Sequence, residues 1–243
     1  MSIDFVISAW RAWAPGLGDS SDWLRWRRGE ASVADVGQPD VSFLPAMQRR
    51  RLSPLAKAAS ATAYPLVRDR DIPLVCCSTH GEAQRTYSLL CDVAAGQPLS
   101  PTAFGLSVHN AIAGQLSILC GIQSPTLALA GGDYPLQAGL LEAAGMLAEG
   151  TRELVLLFCE EPLPEMYLSS ACSPQYICAT ALYLSAADGD VAGFRASIEY
   201  RAGVQSPSAF DEPGYQLPLI AALVDETGRV PVGRNRELCI HGD

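Results

Sequence analysis

The chain has 243 residues, 49% of them hydrophobic and 18% charged, which is enough to bury one substantial core. Its net charge of -9 and pI near 4.8 argue against a general nucleic-acid binder, which would carry a basic excess. Lys57 is the only lysine, so any Schiff-base or lysine-base chemistry would have to use that one residue, and its expected place is an exposed helix.

No run approaches the roughly 18 apolar residues of a membrane span, and Met1-Ser2-Ile3-Asp4 lacks the pattern of a signal peptide. A compact soluble domain in the cytoplasm is the expectation. The eight cysteines sit mostly among aliphatic residues, as in Leu74-Val-Cys-Cys77, and read as buried reduced thiols. With no Cys-x-x-Cys pair and three histidines, neither a structural metal nor a cofactor is expected.

In chain order, Phe5-Val6-Ile7 reads as a strand, and Asp19-Ser20-Ser21 offers caps for a helix carrying Trp23, Leu24 and Trp26 that Gly29 stops. Ser53-Pro54 starts a helix that runs through the alanine-rich stretch to Ala63. Ile72 to Cys77 reads as a buried strand, Glu82 to Val93 as a helix closed by Gly96, and Asn110 to Cys120 as a helix ended by Gly121. The clearest unit is a strand at Thr126–Ala130, a Gly131-Gly132-Asp133 turn, a helix from Tyr134 to Glu149 and a strand at Leu154–Cys159, a right-handed crossover on a parallel sheet. Asp133, before a helix with Pro135 in its first turn, reads as an N-cap. Tyr176–Tyr183 and Phe194–Tyr200 look like strands around an Asp188-Gly189 turn, and residues 206–214 like a surface loop.

The segment Ser100-Pro-Thr-Ala-Phe-Gly-Leu-Ser-Val-His-Asn-Ala-Ile-Ala-Gly114, followed by Gly121-Ile-Gln-Ser-Pro125, resembles the stretch before the nucleophile in β-ketoacyl synthases. Trp13-Ala-Pro-Gly16, Trp23-Leu-x-Trp-x-x-Gly29, the strand at Leu74, and Leu154-Val155 followed by Glu160-Glu161 fall in the family's order. The likeness spans residues 1 to about 200. It is nearest to the short N-terminal-domain proteins of the family called chain length factors, known from aryl polyene and related pigment or fatty-acid clusters.

The resemblance implies a thiolase-like layered α/β/α fold, with the first half at residues 1–160 and only the opening strands of the second at 161–243, together one truncated domain. In an active synthase of the family the nucleophilic cysteine lies at the turn after the third strand, and two histidines lie in the second half. Here that turn is Gly132-Asp133-Tyr134, and the only later histidine is His241. A carboxylate is a poor nucleophile toward a thioester, so condensation by this chain alone is not expected.

Phe104, Ser107, His109 and Asn110 become interface or pocket candidates by the same resemblance. The exposed-looking cluster Arg49, Arg50 and Arg51 is the candidate surface for an acidic acyl carrier protein, with Arg25, Arg27 and Arg28 a second cluster. The implied role is a non-catalytic subunit that assists acyl-chain elongation beside an active β-ketoacyl-ACP synthase, or beside a second copy of itself across the sheet edge. Two alternatives are a homodimeric scaffold and a stand-alone acyl-thioester-binding or hydrolysing enzyme that uses Asp133 as a base or a Cys76-Cys77-His80 thiol site.

Overall fold

The computed structural model describes residues 2–169, 171, 173–188, 191–205 and 215–242. The elements in chain order are β1 (Ser2–Trp13), α1 (Ser20–Arg27), α2 (Ala46–Arg49), α3 (Pro54–Val67), β2 (Leu74–Cys77), α4 (Ala83–Ala94), α5 (Pro101–Gly105), α6 (Ala111–Cys120), β3 (Thr126–Leu129), α7 (Pro135–Ala148), β4 (Glu153–Glu160), β5 (Cys178–Ala186), β6 (Phe194–Gln205), α8 (Leu217–Val224) and β7 (Gly228–His241). They build one seven-stranded sheet of order β3-β2-β4-β5-β1-β6-β7. The strands β3, β2 and β4 run parallel, and every pairing from β4 outward to β7 is antiparallel.

Strand periodicity sorts the side chains onto two faces. Val75 and Cys77, then Leu154, Leu156 and Phe158, face a core closed by α7 and α8, which contribute Leu140, Ala144 and Leu219. Leu74 and Cys76, then Val155, Leu157 and Cys159, face the opposite core under α3 and α6, packed with Leu55, Ala59, Ala63 and Leu116. The central strands are apolar on both faces because helices cover both, which is why β4 reads as an unbroken apolar run rather than an alternating one. This is the layered α/β/α sandwich that the resemblance implied.

Local chemistry sets the element ends. Asp19 caps α1 by accepting from the Asp22 amide, and Asp22 returns a bond to the cap backbone. Ser53 caps α3 in front of Pro54, and Gly121 ends α6 in the left-handed conformation. Trp23, 1% exposed, donates its indole N–H to the Ala12 carbonyl at 2.9 Å and so fixes α1 against the end of β1.

Helix α7 approaches the sheet at Gly139, where an added Cβ would come within 2.6 Å of Phe158 Cε1. Gly139→Val is therefore expected to cost about 1–3 kcal/mol through overpacking, read as a lower urea midpoint with an unchanged slope.

Two expectations change. The hairpin around Asp188 does not form: β5 and β6 both pair with β1, one on each side, so β1 lies between them. Phe5 pairs with Ala186 of β5 and also with Ala196 of β6, an interior strand position that favours the apolar residues on β1. Gly189 and the 206–214 loop lie outside the described residues. Asp133 does not cap α7: Tyr134 occupies the cap position without a side-chain bond, and Asp133 is exposed. Its place before Tyr134-Pro135 explains this, because a residue preceding proline is pushed out of the helical region and moves the helix start one residue on.

Helix α8 and strand β7 come in addition to the elements expected from the sequence. Residues after Glu160 supply β5 to the interior of the sheet and β6 and β7 to its far edge. Among the described residues no helix is long and apolar enough to cross a membrane.

Candidate functional site

The carboxyl ends of β2, β3 and β4 meet at one end of the sheet, and four sequence segments converge there. The loop Ser78–Gly81 after β2 is the hub. Ser78 Oγ donates to Glu160 Oε2 at 3.2 Å and accepts the Gly81 amide at 2.9 Å. The Thr79 amide makes a short bond to Glu160 Oε1. His109 Nε2 donates to the Ser78 carbonyl at 2.8 Å, which makes His109 a loop-holding residue. Thr79 Oγ1 donates to the Gly132 carbonyl at 3.2 Å and ties the hub to the turn in front of α7.

That turn is tight. An added Cβ on Gly131 would sit 2.2 Å from Pro135 Cα, and Gly132 has φ of +56°, so both positions demand glycine. Asp133 projects to solvent, and the Arg234 guanidinium of β7 lies 6.0 Å from the centre of the Tyr134 ring. The nearest thiol with a bond to this turn is Cys77, whose Sγ donates to the Pro135 carbonyl at 3.3 Å. Cys77 is fully buried, and burial pushes its thiol far above the usual range, so it is held as the unreactive thiol. Cys76 points into the other core, with Sγ 3.9 Å from that of Cys159.

Cys77→Ala and Asp133→Ala are each expected to leave any thioester turnover of the purified chain unchanged. Asp133→Ala should also shift stability by less than about 0.5 kcal/mol, as for a surface residue without a capping bond. Thioester assays and thermal melts of the two variants check this.

The site residues that the sequence reading did not single out are three buried carboxylates. Glu160 and Glu161 sit at the end of β4, 2% and 3% exposed, and Glu82 at the start of α4 is 2% exposed. Burial raises Glu160 to about 7 against the lowering pull of the Thr79 amide and Ser78 hydroxyl. Burial likewise raises Glu161 to about 7, opposed by the Gln84 amide and reinforced by the nearby Glu82 charge. Glu82 is raised by burial while accepting from Ser53 Oγ at 2.7 Å and facing Arg85 Nε at 3.5 Å. The sequence signal was an acidic pair directly after an apolar run, at the carboxyl end of a buried strand, where open α/β sheets place polar sites.

The other candidates lie apart from this hub. Phe104 on α5 is 60% exposed, Ser107 closes the end of α5 by donating to the Phe104 carbonyl, and Asn110 precedes α6 without a capping bond. Thr86 Oγ1 of α4 donates to the Ser107 carbonyl at 3.2 Å and holds this segment against α4. Together with Leu90, Val93, Leu99, Val108 and Ile118, Phe104 leaves α4, the α5 segment and α6 with large apolar side chains in solvent. Strand β3 is the sheet edge, and α6 packs against it.

Arg50 and Arg51 are exposed, and among the described residues no ion pair engages Arg49, Arg50 or Arg51. The second basic cluster is partly engaged, with Arg27 paired to Asp225 at 2.7 Å. The described residues contain no group of histidine, cysteine and acidic side chains that would hold a metal ion.

A family model described as "Beta-ketoacyl synthase, N-terminal domain" matches residues 23–233. No curated protein matches the chain. Among solved structures, the chain is similar to one from "Ketosynthase (ApeO) in Complex with its Chain Length Factor (ApeC) from Xenorhabdus doucetiae", with TM-score 0.80 and 27% identity over 96% of this chain and 97% of that one. It is also similar to the ishigamide ketosynthase/chain length factor, with TM-score 0.64 and 16% identity over 82% of this chain and 68% of that one. A β-ketoacyl synthase from Burkholderia phymatum STM815 matches with TM-score 0.61 and 11% identity over 97% of this chain and 76% of that one. The last two, at such low identity, speak for a shared thiolase-like α/β fold alone.

Proposed function

Because the chain belongs to the β-ketoacyl synthase N-terminal domain family, we propose that it is a non-catalytic subunit of the chain-length-factor type, assisting acyl-chain elongation beside an active β-ketoacyl-ACP synthase. The observation that carries this is the Gly131–Tyr134 turn. It offers an exposed carboxylate where a synthase of the family presents a thiol, and the Cys77 thiol bonded to the Pro135 carbonyl behind it is buried, protonated and turned inward. Transacylation needs a thiolate within reach of the thioester carbon, and this turn supplies none.

A pairing role draws support from the outer surface. Strand β3 leaves its outer backbone groups at the sheet edge, and α6, which packs against it, exposes Ile118. An open edge next to exposed apolar surface is what a partner sheet covers. The solved complex of a ketosynthase with its chain length factor is matched nearly end to end, so the matched chain there is about as short as this one. The unpaired Arg49–Arg51 cluster is the proposed contact for the acidic carrier protein, and residues 1–243 are read as one truncated ketosynthase-like unit.

The test is the solution mass, by light scattering on a sizing column, of the chain alone and co-expressed with a full-length ketosynthase of the same source, followed by product chain length. A stable one-to-one complex with altered product length is the expected result. A chain that ignores the synthase, or a complex whose products never change, overturns the reading.

A further inference from the structure

A cleft of about 1010 Å³ opens beside the carboxyl hub, between the end of β1, the loop around Val36, the starts of α3 and α4, and the segment before β5. Its lining includes Gln84, Arg85 and Ser88 of α4 and no residue of β3, α5 or α6. One wall is apolar, formed by Trp13, Pro15, Leu52, Tyr176 and Ile177. Glu82 and Glu161 line the same cavity although both are almost wholly withdrawn from solvent.

Charge is unevenly matched in this cavity. Asp35, Glu82 and Glu161 face Lys57 and Arg85, and Glu160 lies directly before Glu161 in the chain as a further buried carboxyl. Arg85 pairs with Glu82 at 3.5 Å and acts on Glu161 from farther off as a charge that favours its carboxylate. Glu161 has no ion pair among the described residues; its recorded partner is the Gln84 amide, donating to Oε1 at 3.0 Å. Lys57, half-buried on the first turn of α3, is the one basic side chain of the wall without an ion pair among the described residues. The deeper group governs, because a charge interaction strengthens as water is excluded.

We infer that this cleft binds a small molecule with a protonated amine on an apolar body, the ammonium bonding Glu161 and the body lying between Trp13, Leu52, Tyr176 and Ile177. A buried carboxylate with no cation in ion-pair contact and an aromatic lining in one cavity of this size complement the two ends of such a ligand. An ammonium supplies a positive charge in direct contact with Glu161. Since burial raises Glu161 to about 7, the amine competes with a proton for that carboxylate, and affinity falls as the pH drops through neutrality.

The experiment is calorimetric titration of the full chain with benzylamine, and with benzyl alcohol and benzoate as near-isosteres. Benzylamine should bind at one site about tenfold or more tighter than benzyl alcohol at about pH 8. That preference should shrink severalfold at about pH 6, where benzylamine is still protonated, and Glu161→Gln should make amine and alcohol alike. The pH series on the wild-type chain keeps the test intact if the variant fails to fold. Equal affinity for amine and alcohol, benzoate binding tightest, or no saturable heat up to ~10 mM overturns the inference. Because no synthase is needed, these outcomes are independent of whether the chain pairs.

Discussion

Ala128→Pro is expected to abolish co-elution with the partner synthase while leaving the isolated chain folded. The Leu74 amide donates to the Pro125 carbonyl and the Ser78 amide to that of Leu129, so the odd positions of β3 face β2. In a parallel ladder a residue points its N–H and C=O to the same side, which leaves Thr126 and Ala128 facing outward from the edge. Proline at Ala128 removes one outward donor, blocks close approach by a partner strand and spares every bond to β2. Losing a main-chain pair and the packing behind it should cost about 2–3 kcal/mol of association, roughly a hundredfold in affinity. Sizing with light scattering reads the complex, and circular dichroism confirms the fold. A variant that still co-elutes at wild-type affinity would place the partner elsewhere than on β3.

The second large effect is an inverted pH dependence of stability. Glu160 and Glu161 titrate near 7 in the folded chain and near the usual glutamate value of about 4.3 when unfolded. Between those values the native state holds more protons than the unfolded state, so stability falls as pH rises through this window and levels off above about 7. A shift of this size corresponds to about 4 kcal/mol for Glu160 alone, and Glu82, raised by burial as well, acts in the same direction.

Asp19, lowered by Ser21 and the Asp22 amide, and Asp71, lowered by the Ser124 and Gln123 amides, act oppositely. Each contributes stability above the unfolded carboxylate value, lost as the pH falls through its folded one. The expected optimum is therefore near pH 5. Urea unfolding at about pH 5 and pH 8 should show a lower midpoint at the higher pH, and Glu160→Gln should flatten the difference. A midpoint that rises with pH over this range would contradict buried, proton-holding carboxyls.

Much of the local architecture was legible in the residues. Ser53-Pro54, Asp19 and Gly121 mark helix ends because their chemistry acts on adjacent backbone, and the double-faced apolar run Leu154–Cys159 marks a strand covered on both sides. The missing thiol at Gly131–Tyr134 was equally plain, since the absence of a residue type is a property of sequence. What passed unread was β7, whose Pro231, Gly233 and Asn235 interrupt the alternation that signals a strand. Its pairing with β6 overrides that weak local preference.

Tertiary structure alone decided the rest. Two strands close in sequence, β5 and β6, are separated by β1, which comes from the far end of the chain; such long-range pairing leaves no local mark. Asp133 looked like a cap, but Pro135 and the Gly131 contact shift the helix start past it. Glu82, Glu160 and Glu161 are ordinary glutamates in sequence. They become a proton-holding hub only because three segments withdraw them from water at the same end of the sheet, and the cost of keeping a charge there depends on every neighbour the fold supplies.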